Sequence, residues 1–158
     1  MRLVSSLALT CGLVLASAHA GAQVETAKSV RDLLTEANAL VVTLTAEDAI
    51  ALFGDSQVAF VDIREQSELD ASGRIPGAVH APRGMLEFYL DPSSPMHLDV
   101  FSSGKRILFY CAGGGRSALA AQTAMEMGLS NVAHVGGGFR AWVAAGGPVE
   151  QPAAAGRR

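Results

Sequence analysis

The chain has 158 residues, of which 49% are hydrophobic and 17% charged, enough for one buried core and too apolar for disorder through its middle. Its formal net charge is −3 with no run of lysine or arginine, which argues against a nucleic-acid or anionic-membrane surface. Two cysteines, Cys11 and Cys111, are too few for a disulfide-built scaffold.

Arg2 precedes an apolar run from Leu3 to Ala18 that ends in Ala18-His19-Ala20, the outline of a secretory signal peptide. The run is short for a membrane span and no stop-transfer charges follow it. Residues 1–20 are therefore expected to be cleaved, with cleavage after Ala22 or retention as an anchor as the alternatives. The protein is then exported, to the periplasm, with no membrane attachment after cleavage. Once the leader is gone Cys111 is the one remaining thiol, and eleven basic residues face fifteen acidic ones, a net charge of −4. A solitary thiol in an oxidising compartment is easiest to understand if it is used.

Within residues 21–39 a polar spacer leads to an extra helix, where Ala27, Val30, Leu33, Leu34 and Ala37 recur at helical spacing. That face either packs on the domain or binds a partner. Leu40–Leu44 reads as a short strand, and Thr45 as the N-cap of a helix carrying Ala49, Ile50, Leu52 and Phe53. Val58–Ile63 is a continuous apolar run with Asp62 near its end, the pattern of a parallel strand covered on both faces. One helical turn at Ser67–Ala71, an extended Ile75–Pro82, a short helix at Met85–Leu90 and an irregular stretch to Gly104 follow. A strand at Arg106–Tyr110 leads to a helix from Ser117 with Ala120, Ala124 and Met127 on one face. Val132–Val135 is the next strand, and Gly136-Gly137-Gly138 turns into a last helix with Phe139, Trp142 and Val143 inward. Residues 151–158 are Pro/Ala/Gly-rich and expected to be disordered. Strands alternating with helices over residues 40–150 predict a three-layer α/β domain, a mostly parallel central sheet flanked by helices.

The chemistry concentrates after Tyr110. Cys111-Ala112-Gly113-Gly114-Gly115-Arg116-Ser117 puts a thiol at the carboxyl end of a buried strand, where open α/β sheets bind ligands. The glycines permit backbone angles that aim consecutive N–H groups at one point, and the positive end of the next helix and Arg116 act in the same sense. Such a loop is an anion cradle that holds negative charge on the sulfur or on an adduct of it. The plainer alternative is a glycine turn with Cys111 as a small buried hydrophobe. No metal site is expected, because His80, His97 and His134 stand alone and no Cys-x-x-Cys spacing occurs. No cofactor is expected either, since Phe139 and Trp142 read as core residues at helical spacing.

Four stretches, in this order and spacing over residues 40–150, resemble a single rhodanese domain: Val61-Asp62-Ile63-Arg64, Gly73-Arg74-Ile75-Pro76-Gly77-Ala78, the Cys111–Ser117 loop, and Gly137-Gly138-Phe139-Arg140-Ala141-Trp142. The resemblance implies a sulfurtransferase with Cys111 as the catalytic residue. Cys111 takes sulfane sulfur from a small donor such as thiosulfate, becomes a persulfide, and passes the sulfur to a thiophilic acceptor, which could be a protein. Ala112, Gly113, Gly114, Gly115, Arg116 and Ser117 are implied to surround the substrate. Arg64 is an implied anion contact, Arg83 a further candidate, and Asp62 an acceptor for backbone donors around the loop. Four residues separate Cys111 from Arg116, the shorter loop of the sulfur-handling members, where related phosphatases have one more. Two positions depart from the pattern. Arg74 stands where members often have histidine, and Gly115 where many have a bulkier residue, which is expected to leave the pocket more mobile and open. The alternatives are a persulfide carrier loaded by a partner enzyme and a non-catalytic module that binds an anion or a protein.

Overall fold

A computed structural model describes residues 27–151. The leader expected over residues 1–20 and the tail from 152 lie outside the described residues. The chain runs α1 (Val30–Leu40), β1 (Val42–Leu44), α2 (Ala46–Ala51), β2 (Val58–Asp62), α3 (Gln66–Ser72), β3 (Val79–His80), α4 (Leu86–Leu90), β4 (Arg106–Tyr110), α5 (Gly115–Glu126), β5 (Val132–Val135) and α6 (Gly138–Ala144). All pairings are parallel, in the order β1-β5-β4-β2-β3, so the expected parallel sheet flanked by helices is what forms.

Strand β4 is central and buried along nearly its whole length. Its pleat sends Ile107 and Phe109 to one face, with Val61, Ile63 and the alanines of α5, and Leu108 and Tyr110 to the other, with Phe60, Val135, Phe139 and Trp142. The second layer is pinned by Trp142, which meets Phe60 edge-on at 5.4 Å and Phe53 at 5.9 Å while its indole N–H donates to the Pro148 carbonyl at 2.9 Å.

Caps place the helices where side-chain oxygens occur. Ser29 and Asp32 form a reciprocal capping box on α1, and Thr45 Oγ1 accepts from the Asp48 amide at 3.1 Å on α2. Inward faces differ from the sequence expectation at three places. On α1, which packs against α5, Ala37 is fully buried and Leu34 half-buried, but Val30 and Leu33 face outward. Met127 and Val143 are also exposed: Ala120, Ala121 and Ala124 fill the α5 seam, and Phe139 and Trp142 close α6 onto the sheet.

Arg64 is not at the cysteine loop's mouth but in the core, 1% exposed. Its Nε and Nη2 reach Asp62 at 2.6 to 3.1 Å, Nη1 donates to Ser72 Oγ at 3.0 Å, and Nη2 also donates to the Gly73 carbonyl at 2.8 Å. Its guanidinium carbon stands 4.2 Å from the Phe139 ring centroid. Burial opposes the charge, but the Asp62 hydrogen bonds and field outweigh it and raise the Arg64 pKa. The anion contact implied for Arg64 is thus corrected: every nitrogen of the guanidinium is already donating within the protein. Asp62 is corrected with it, since it accepts from the Arg64 backbone and side chain rather than from the loop. Together they brace the end of β2 against α3 and α6.

The start of α6 holds the end of β4. The Phe139 N–H donates to the Cys111 carbonyl at 2.7 Å and the Arg140 N–H to the Ala112 carbonyl at 3.2 Å. Gly138 makes this approach possible: its φ is +60°, and a Cβ there would overlap the Cys111 carbonyl oxygen and crowd the Gly114 amide.

Both devices predict stability losses readable by urea denaturation. Arg64→Met should cost about 3–5 kcal/mol by stranding a buried carboxylate, with partial recovery when Asp62→Asn is added. Gly138→Ala should cost about 2–4 kcal/mol from overlap and a left-handed backbone.

Candidate active site

The thiol of Cys111 emerges at the carboxyl edge of β4 into the loop that starts α5. The residue is 1% exposed, and the Gly114 N–H donates to its Sγ at 3.1 Å. Gly114 achieves this with φ +92°, a region closed to most side chains, and Gly137 packs against the space where its Cβ would stand. The helix begins at Gly115, two residues earlier than its sequence pattern predicts, so Gly115, Arg116 and Ser117 supply its first turn. Their amides carry the unpaired positive end of a 12-residue helix toward the sulfur.

Ser117 locks the loop from beneath. Its hydroxyl donates to the Gly114 carbonyl at 2.9 Å, and His134 Nδ1 lies 3.4 Å from the Ser117 hydroxyl oxygen, while His134 Nε2 sits 2.8 Å from Thr43 Oγ1. The Ser117 hydrogen is committed to Gly114, so an Nδ1–H donor with Nε2 accepting from Thr43 satisfies the set. Burial lowers the His134 pKa and so favours the neutral ring. The edge strand β1 is thereby tied through β5 to the loop. His134, which the sequence offered only as an isolated histidine, is a positioning residue.

Arg116 leans across the loop to α3, where Nη1 and Nη2 meet the two Glu68 oxygens at 2.8 and 2.7 Å. The Arg116 hydrogen bonds hold the Glu68 carboxyl at a pKa of about 2, so the pair stays formed above the ordinary carboxylate range and opens only as pH falls toward that value. Glu68 foremost, and the nearby Cys111 sulfur in smaller measure, raise the Arg116 pKa. Arg83, the further candidate, is bound to Glu87 at 2.9 Å and Thr123 at 3.3 Å.

Two neighbours escaped the sequence reading. Leu34 of α1 lies over the loop, where a Cβ on Gly115 would touch its Cδ2 at 3.5 Å, so the third glycine faces the extra helix instead of open space. Arg140 of α6 lies over Gly113: a methyl group there would collide with its Nη2 and stand 3.4 Å from Cζ. The Gly137–Trp142 stretch was legible as a turn, but only the packing of α6 on the loop shows that the helix's third residue, Arg140, lies over Gly113. A cavity of about 350 Å³ lined by Gln66, Asp70, Arg74, His80 and Glu150 lies on the β3 side, away from the thiol.

A thiol at a strand end, an amide aimed at its sulfur, a helix start and two overhanging arginines form a site for nucleophilic sulfur and for anions joined to it. A solved structure from Rhodopseudomonas palustris, a protein of unknown function described as a possible tyrosine phosphatase, is 51% identical, with TM-score 0.79, over 82% of this chain and 100% of that one. A rhodanese-related protein from Thermoplasma volcanium is 26% identical with TM-score 0.58, over 70% of this chain and 99% of its own. The thiosulfate:glutathione sulfurtransferase of Saccharomyces cerevisiae is 35% identical over 98 residues, 59% of this chain and 70% of that protein. The rhodanese-like domain family matches residues 45–145, a span that takes in β2 to β5, the cysteine loop and the α6 clamp, and the chain belongs to that family.

Proposed function

We propose that this chain is a sulfurtransferase that carries sulfane sulfur as a persulfide on Cys111. The observation that carries the reading is the Gly114 amide at 3.1 Å from Sγ, inside a loop whose other amides and helix end suit a charged sulfur adduct. The Cys111 thiolate attacks the outer sulfur of a donor such as thiosulfate, the S–S bond of the donor breaks, and sulfite leaves with the electron pair. A thiophilic acceptor then attacks the outer sulfur of the persulfide, and Cys111 departs again as thiolate. Two substitutions at sulfur replace one difficult transfer, and no external oxidant or reductant enters. The name of the yeast relative supports thiosulfate as the donor class and a small thiol as the acceptor.

A phosphatase is the second reading, favoured by the description of the Rhodopseudomonas structure. Against it stand the four-residue spacing from Cys111 to Arg116 and the engagement of both Arg116 terminal nitrogens by Glu68. A phosphoryl group needs donors on three equatorial oxygens, and Arg116 would have to leave Glu68 to supply its share.

Anaerobically purified protein given thiosulfate should gain one sulfur atom on Cys111 by mass spectrometry and form thiocyanate with cyanide. Cys111→Ser should do neither. A folded wild type that gains no sulfur overturns the proposal, and Cys111-dependent hydrolysis of p-nitrophenyl phosphate in its place would install the second reading. Loading only by a partner enzyme would make the chain a carrier. The leader read from the sequence also places the protein outside the cytoplasm in this proposal. Fractionation of the source cells should find a form shortened by about twenty residues in the periplasm, and a full-length cytoplasmic product would contradict it.

A further inference from the structure

The charges around Cys111 do not balance evenly, and one arginine holds the surplus. Arg116 is matched by Glu68 in a two-point pair of zero net charge. Arg64 is sealed in the core with Asp62, Arg83 is paired with Glu87, and Arg74 with Glu150. Arg140 is exposed and has no carboxylate within ion-pair distance among the described residues. Its backbone is fixed at the site, because its own N–H is held by the Ala112 carbonyl, and its guanidinium lies where a side chain on Gly113 would stand. Any side chain at 113 would evict it. Gly113 therefore does more than turn the chain: it leaves the space an arginine fills one residue beyond Ala112, in the loop that carries the buried thiol.

Resting on the sulfurtransferase reading above, we propose that Arg140 is the specificity-determining residue of the site, and that it seats the anionic end of a small sulfane donor, a sulfonate of the thiosulfate class. A planar guanidinium with several donors suits that end. With the outer sulfur at Cys111 and the sulfonate at Arg140, the charge that grows on the leaving sulfite as the S–S bond breaks falls on the group already bound there. Glu68 completes the selectivity from the other side, since by neutralising Arg116 it keeps a second anion from being drawn into the loop in the wrong orientation.

The test pairs turnover with a readout that does not need it. Arg140→Gln should lower kcat/KM for thiosulfate about tenfold or more, the weight of a charge-assisted hydrogen bond, and Arg140→Lys should recover part of the loss. In parallel, Cys111 is alkylated with iodoacetate, an anion, and iodoacetamide, its neutral counterpart. The iodoacetate-to-iodoacetamide rate ratio should fall about fivefold in Arg140→Gln, whereas Arg31→Gln on α1 should leave it unchanged. An unchanged ratio in Arg140→Gln overturns the proposal whatever the turnover does. So does a sulfur that resists both reagents, because an anion seated at Arg140 must reach it. A wild type inactive on thiosulfate whose ratio still falls with Arg140→Gln would count against the sulfurtransferase reading alone and leave the anion seat in place.

Discussion

A single backbone hydrogen bond, from the Phe139 N–H to the Cys111 carbonyl at 2.7 Å, fixes the geometry on which the site depends. A strand that ends in a cysteine leaves that residue's carbonyl without a ladder partner, and a buried carbonyl must find a donor. The first amides of α6 supply it, and only because Gly138 lets the two backbones meet. With the carbonyl taken on the α6 side, the Cys111 side chain faces the α5 layer, where the Gly114 amide and the helix start await it. The fold's last helix thus aims its central sulfur.

Buried and exposed arginines play opposite parts in this protein. Arg64 lies under the sheet's carboxyl edge in a pair with Asp62 that ties β2 to α3 and stacks beneath Phe139. Its value is positional, since a buried ion pair adds little net stability but is costly to break. Arg116 forms a half-exposed bridge to α3 that keeps the loop's flank in register. Of the arginines at or next to the cysteine loop, Arg140 is the one without an ion pair among the described residues. The hierarchy follows from where carboxylates sit: Asp62 and Glu68 come from the same β2–α3 segment, and they pair with Arg64 and Arg116 but not with Arg140.

Much of this was legible in the sequence. The continuous apolar runs of β2 and β4 declared strands buried on both faces, Thr45 marked the start of α2, and the glycine-rich loop after Tyr110 declared the site. What the sequence did not show was direction. Arg64 follows a strand end and reads like a ligand contact, but its nitrogens turn inward because Asp62, two residues earlier, is buried and needs a cation. Arg140 reads like one polar residue on a short helix, and becomes notable only when α6 docks on a loop distant from it in sequence. The third glycine of the loop, expected to open the pocket, instead abuts Leu34 of the added helix α1. Each of these depends on contacts between elements distant in the chain, which periodicity and spacing do not encode.

The account stands or falls on what surrounds a second sulfur atom attached to Cys111. The most direct measurement is a crystal structure of thiosulfate-loaded protein. It should show the added sulfur within hydrogen-bond reach of the amides between Ala112 and Arg116, with the Phe139 N–H still on the Cys111 carbonyl. An added sulfur turned away from those amides, or a loaded protein in which α6 has released the carbonyl, would contradict it.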